Sequence, residues 1–101
     1  MIKTYDIRIT EEAMSDEKAL FRYICETVHA PLTAQRYIAG LKRTILQLEY
    51  SAGAHPVDQD LSKVLGLKVH RINYKQVAII YTIDESVVYI HHIIPQKMVI
   101  L

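Results

Sequence analysis

The stretch VAIIYTIDESVVYIHHII, residues 77–94, decides the fold that the sequence predicts. Its segments 77–83 and 87–94 are rich in Val, Ile and Tyr, which are residues that favour β-strands. The break between them, at 84–86, has the length of a hairpin loop. A further strand-like segment, LKVHRI at 67–72, precedes this pair along the chain. The C-terminal third is therefore predicted to consist of consecutive β-strands.

The N-terminal segment predicts one more strand, followed by a helix. Residues 2–9, IKTYDIRI, alternate between apolar and polar side chains, as a half-buried strand does. Thr10 and the acids Glu11 and Glu12 form a helix-start signal, because the hydroxyl accepts a free backbone N–H and the acids favour the positive end of the helix dipole. The apolar stripe predicted for this helix consists of Ala13, Leu20, Phe21, Ile24 and Val28.

A second helix is predicted directly after the first. Pro31 suits the first turn of a helix, where the N–H that proline lacks would have no partner. The predicted stripe of this helix consists of Ala34, Tyr37, Ile38, Leu41, Ile45 and Leu48. Residues 51–66 have no clear period and predict an irregular loop, with one short turn around Leu61 to Leu65.

The predicted order is β-α-α-β-β-β, which is an α+β fold. An antiparallel helix hairpin packed on one face of a mainly antiparallel sheet would bury both helical stripes. The length of 101 residues indicates a single domain, 1–101.

Composition excludes several classes of protein. The formal net charge of +1 does not indicate a nucleic-acid binder, and the single cysteine, Cys25, rules out an intramolecular disulfide. A chain without disulfides fits a reducing cytosol, so we expect a cytoplasmic protein. No apolar run approaches the roughly 20 residues that span a bilayer. Neither metal-ligand spacing nor a cofactor motif is present, so we expect neither a metal nor a cofactor.

The adjacent residues His91 and His92 are the candidates for chemistry. Successive residues of a regular strand point to opposite faces, so the two could not bind one metal or form one catalytic pair. A hairpin that loops through 84–86 would turn His91 toward the helices and leave His92 on the open face, beside Ala78. A slip of one residue reverses this assignment. We interpret His91 as structural, while His92 is either a functional residue or an ordinary surface histidine.

Basic residues cluster in the C-terminal third, where the acids are confined to Asp84 and Glu85 at one hairpin tip. The basic set comprises Lys68, His70, Arg71, Lys75, His91, His92 and Lys97. Such a patch could bind phosphate or an acidic protein segment. The alternative is an ordinary solvated rim.

The chain resembles the RelE/ParE superfamily, the toxin halves of bacterial type II toxin–antitoxin modules. The resemblance covers nearly the whole chain and depends on the element order together with APLTAQRYIAGLKRTILQL, RINYKQVAIIYTID and VVYIHHIIPQ. It implies a cytoplasmic toxin held inactive by a cognate antitoxin protein. ParE-like members inhibit DNA gyrase by protein binding, and RelE-like members are metal-independent endoribonucleases that cut mRNA on the ribosome.

The resemblance also implies where a site would lie. RelE-like nucleases carry an arginine in the middle strand, cations in or after the last strand and often a tyrosine near the C-terminus. In this chain Ala78 occupies the middle-strand position, His92 occupies a last-strand position, and no tyrosine follows Tyr89. The expected target- or phosphate-binding basic face consists of Arg71, Lys75, His92, Gln96 and Lys97. His92 would be catalytic only in a nuclease, and the incomplete set favours the ParE-like, non-enzymatic interpretation.

Two further hypotheses remain open. The apolar tail KMVIL, residues 97–101, could extend the sheet, cover the core or form a homodimer contact. A small α+β domain without toxin activity is the lesser alternative, since fold does not fix function.

Overall fold

The computed structural model describes residues 3–96. Its centre is a four-stranded mixed sheet with the strand order β1-β4-β3-β2. β1 runs parallel to β4, and the pairs β2–β3 and β3–β4 are antiparallel. The strands are β1 (Asp6–Ile9), β2 (His70–Tyr74), β3 (Val77–Asp84) and β4 (Val87–Pro95).

The helices confirm the predicted element order and add short elements to it. They are α1 (Glu11–Val28), α2 (Pro31–Leu46), α3 (Leu48–Ser51) and α4 (Gln59–Leu65), with a 3-10 turn at Ala52–Ala54. The prediction of an irregular loop over residues 51–66 was wrong in extent, because the short turn predicted around Leu61 to Leu65 is part of a seven-residue helix. Asp58 begins α4, because its Oδ1 accepts the backbone N–H of Leu61 at 2.9 Å.

Thr10 is the N-cap of α1, as predicted, and it also joins this helix to the sheet. Its Oγ1 accepts the N–H of Ala13 at 3.2 Å and donates to the carbonyl of Ile90 at 2.8 Å. The same hydroxyl therefore caps α1 and fixes the start of that helix to β4. Caps of this kind contribute about 1 kcal/mol.

The main core lies between the sheet and the helices α1 and α2. The buried members of this core are Ala13, Leu41, Ile45, Leu48, Ala52, Val77, Ile79, Tyr81, Val88, Ile90 and Ile93. The predicted stripe of α2 is confirmed from Ala34 to Ile45, whose members are buried or half-buried, while Leu48 is buried but begins α3. The α1 stripe was wrong at Phe21 and Val28, which are 36% and 55% exposed. Both residues lie on the same side of α1 as Met14. Leu20 lies on a different side of the helix and packs on the core.

The hairpin between β3 and β4 is shorter than predicted. Asp84 pairs with Val87, so the turn contains only Glu85 and Ser86, and Glu85 has a left-handed φ of 56°. The register then shifts between Ile80 and Tyr81. Ile80 lies opposite His92 and Tyr81 lies opposite Ile90, so His91 is the extra residue of a β-bulge.

A second, smaller cluster lies on the opposite face of the sheet. Leu61 of α4 packs with Val69 and Ile80, and Ile94 packs against this cluster. α4 therefore covers part of the face that the sequence predicted to be open. In the described part of the chain, no helix is both long enough and apolar enough to cross a membrane.

Candidate functional site

The open face, defined here as the sheet face opposite α1 and α2, carries a row of cross-strand neighbours. Arg71 of β2 lies opposite Ile80 of β3, which lies opposite His92 of β4. Paired residues project from the same face, so Arg71 and His92 flank Ile80 on the open face. Two strand spacings place their backbones about 10 Å apart.

His91 also lies on the open face, which corrects the prediction that it turns toward the helices. Its Nε2 lies 2.8 Å from Oγ1 of Thr82, and Thr82 lies opposite Tyr89 on the open face. The bulge is the physical reason, because an extra residue interrupts the alternation of a regular strand. The adjacent histidines are therefore brought to one face.

The surroundings of His91 favour its neutral form. Burial lowers the pKa of the His91 imidazole below its ordinary value, and the neighbouring His92 lowers it further. Glu12 opposes this shift with a smaller effect. In the neutral imidazole, Nε2 either accepts a hydrogen bond from the Thr82 hydroxyl or donates one to it, depending on the tautomer.

His92 is held by α1 at the edge of the sheet. Its Nδ1 lies 3.6 Å from Oδ2 of Asp16, and the same oxygen accepts the backbone N–H of Ile93 at 3.0 Å. The shallow depression at His92 is otherwise lined by Glu11, Glu12, Ser15 and Asp16. His92 therefore lies at an acidic end of the open face. The prediction that Ala78 is the cross-strand neighbour of His92 was wrong. Ala78 lies opposite Ile94 and is fully buried.

The remaining predicted site residues do not converge with this row. Lys75 lies in the β2–β3 turn, with its Nζ 5.4 Å from the ring centre of Tyr37 and 5.5 Å from that of Tyr74. Tyr37 belongs to α2, so the ammonium group lies on the helix side of the sheet. Gln96 is bound to the same turn, because its Nε2 donates to the carbonyl of Lys75 at 3.1 Å.

Lys97 and the tail 97–101 lie outside the described residues. The expected phosphate contact of Lys97 and the expected homodimer contact of the tail therefore stay predictions. Within residues 3–96, no group of three His, Cys, Asp or Glu side chains is placed to hold a metal ion.

Sequence reasoning missed two residues that shape the site, Asp16 and Thr82. Asp16 lies in an ordinary acidic stretch of α1, and no local pattern shows that its carboxylate reaches β4. Thr82 was placed correctly on the open face, but its contact with His91 exists only because of the bulge.

Arg71 and the carboxylates beside His92 lie at different ends of the open face. This face offers imidazoles and the guanidinium groups of Arg71 and of Arg8, which lies opposite Tyr89, and Nε of Arg71 donates to Oδ1 of Asn73 at 3.2 Å. The carboxylates beside His92 would repel a phosphate backbone at that end.

Comparisons with known proteins agree with this architecture. The family model described as the ParE toxin of the type II toxin–antitoxin system, parDE, matches residues 7–100. A solved structure, the chromosomal ParDE toxin–antitoxin system from P. aeruginosa, is similar at a TM-score of 0.76. It is 15% identical, and the match covers 91% of this chain and 96% of that one. No curated protein sequence matches the chain. Because the family model spans nearly the whole chain, this protein belongs to the ParE toxin family of type II toxin–antitoxin systems.

Proposed function

We propose that this protein inhibits DNA gyrase by binding it and that a cognate antitoxin neutralises this activity. The observation that carries the proposal is the ParE family match over residues 7–100. The similar solved structure is of a ParDE system, which supports an antitoxin partner for this chain as well. Gyrase and a newly made antitoxin would both be met in the cytoplasm, which is the compartment we propose.

The geometry of the open face favours a binding activity over ribonuclease activity. Metal-independent RNA cleavage needs a base at the 2′-hydroxyl and cations around the phosphorane. In this chain the middle-strand position is the buried Ala78, and Asp16 lies beside His92. Loss of one donor of this kind typically costs about a hundredfold or more in rate.

One observation favours the alternative, a RelE-like ribosome-dependent mRNA endoribonuclease. The bulge brings His91 and His92 to the same face, and Arg71 lies in the row of His92. One imidazole could accept a proton while the other donates one. Primer extension on ribosome-bound mRNA tests this alternative, with the double variant His91→Ala/His92→Ala as the control.

Growth of a bacterial host tests the toxin role itself. Induced expression of the chain alone is expected to arrest growth, and co-expression of a cognate antitoxin is expected to restore it. Normal growth with full-level soluble expression would contradict any toxin role.

A further inference from the structure

A shallow groove lies between α4 and the segment that leads into β2. Its lining includes Val57, Ser62, Lys63, Leu67 and Lys68. Hydrogen bonds hold its two sides together, since the N–H of Val69 donates to Oγ of Ser62 at 2.9 Å. The N–H of Asp58 also donates to the carbonyl of Val69 at 2.9 Å. The groove is therefore a built part of the fold.

The charge of this groove is one-sided. Lys63 and Lys68 line it and are both exposed, and none of its described lining residues is acidic. The nearby carboxylate of Asp58 is engaged at the start of α4, where it accepts the N–H of Leu61. Two ammonium groups without a facing carboxylate favour an anionic partner.

Apolar surface lies next to these lysines. Leu67 lines the groove and is 47% exposed, while Val57 lines it and is half-buried. Val64 and Leu65, on α4 itself, are 60% and 40% exposed. Exposed apolar residues that cluster around charges are typical of protein-binding surfaces.

The backbone beside the groove can also bind an extended chain. In the part that the structure describes, Leu67 and Lys68 make no backbone–backbone hydrogen bond. Their N–H and C=O groups are therefore available to a partner backbone, as in recognition by strand addition.

We propose that this groove, which we call the α4 groove, docks an acidic segment of a partner protein that carries leucine-like side chains. Carboxylates of the segment would pair with Lys63 and Lys68, and its apolar side chains would cover Leu67 and Val57. The proposal does not depend on gyrase as the target, and its test measures neither growth nor supercoiling.

The test uses the full purified chain and a fluorescent synthetic peptide that alternates glutamate and leucine. Fluorescence anisotropy is expected to show saturable binding, weakened about tenfold by Lys63→Glu/Lys68→Glu, because the double charge reversal replaces two exposed ion pairs with repulsion. The matched control Lys18→Glu/Arg22→Glu makes the same charge change on exposed residues of α1 and is expected to bind normally. Leu67→Ser is expected to weaken binding as well, because it removes apolar contact without a change in charge.

Several outcomes would overturn the proposal. They are absence of saturable binding, equal weakening by the α1 control, and equal binding of a peptide that alternates lysine and leucine. Binding to anionic phosphatidylserine vesicles with no binding to the acidic peptide would assign the α4 groove to a lipid surface instead. Circular dichroism of each variant shows whether loss of binding reflects loss of the fold.

Discussion

Asp16 and Ile93 are joined across the junction of α1 and β4: the backbone N–H of Ile93 donates to Oδ2 of Asp16 at 3.0 Å. β1 pairs with β4 only as far as Ile90. Beyond that point β4 would be an open sheet edge, with backbone groups free to pair with another chain. The carboxylate of α1 therefore completes the edge that β1 leaves unpaired.

Asp16→Ala is expected to lower the free energy of unfolding by about 1–2 kcal/mol, because it leaves the Ile93 N–H without its acceptor. Asp16→Asn keeps an acceptor and loses only the negative charge beside His92, so its cost should be below about 1 kcal/mol. Urea unfolding measures both values. Equal destabilisation by the two substitutions would show that charge, and not the hydrogen bond, holds this junction.

Gly40 is required by the packing of α2 against Tyr74. A Cβ at residue 40 would collide with the ring and hydroxyl of Tyr74. Gly40→Ala is therefore expected to destabilise the protein by about 1–3 kcal/mol, although alanine favours a helix by about 1 kcal/mol. In a Tyr74→Ala background the same substitution should become stabilising. Thermal unfolding of the four proteins in this cycle measures the reversal, and an unchanged sign in both backgrounds would refute the contact.

Stability is expected to fall as the pH drops below the ordinary histidine value of 6.5, because the folded state lowers the pKa of His91. Between the lowered pKa and 6.5, the unfolded chain binds more protons than the folded one, so protonation favours unfolding. The groups that face His91 are Thr82, His92 and Glu12. His91→Gln should flatten this part of the pH profile of unfolding free energy. Identical profiles for the variant and the parent protein would contradict the shift.

His92→Ala is expected to leave growth arrest intact within about twofold in the inducer level that is needed. The proposed activity is binding and not catalysis, and the group beside His92 is the carboxylate of Asp16. A small loss of affinity would still fit, since rim contacts contribute little. Plating efficiency over a range of inducer concentrations measures the effect. Complete loss of toxicity, with normal expression and folding, would favour the nuclease.

Much of the fold follows from local sequence signals. The sequence predicted Thr10 as a cap, Pro31 in the first turn of α2 and the apolar stripe that ends at Leu48. Caps, proline positions and periodicity are local properties of a sequence. Only a short turn was predicted where α4 lies, since the stability of this helix depends on Leu61 packing against the sheet and not on a long apolar stripe.

The candidate site was less predictable than the fold. The alternation that assigned His91 and His92 to opposite faces fails at one inserted residue, and no local signal marks that residue as a bulge. Lys75 was grouped with Arg71 by position in the sequence, yet its side chain lies over Tyr37 on the other side of the sheet. Long-range geometry, which no sequence period encodes, decided both cases.

The most direct test of the central claim is a DNA supercoiling assay with purified gyrase, relaxed plasmid and the purified chain. We predict dose-dependent loss of supercoiling, relieved by prior addition of the antitoxin and retained by His92→Ala. Unchanged supercoiling at a large excess of folded protein would contradict the account.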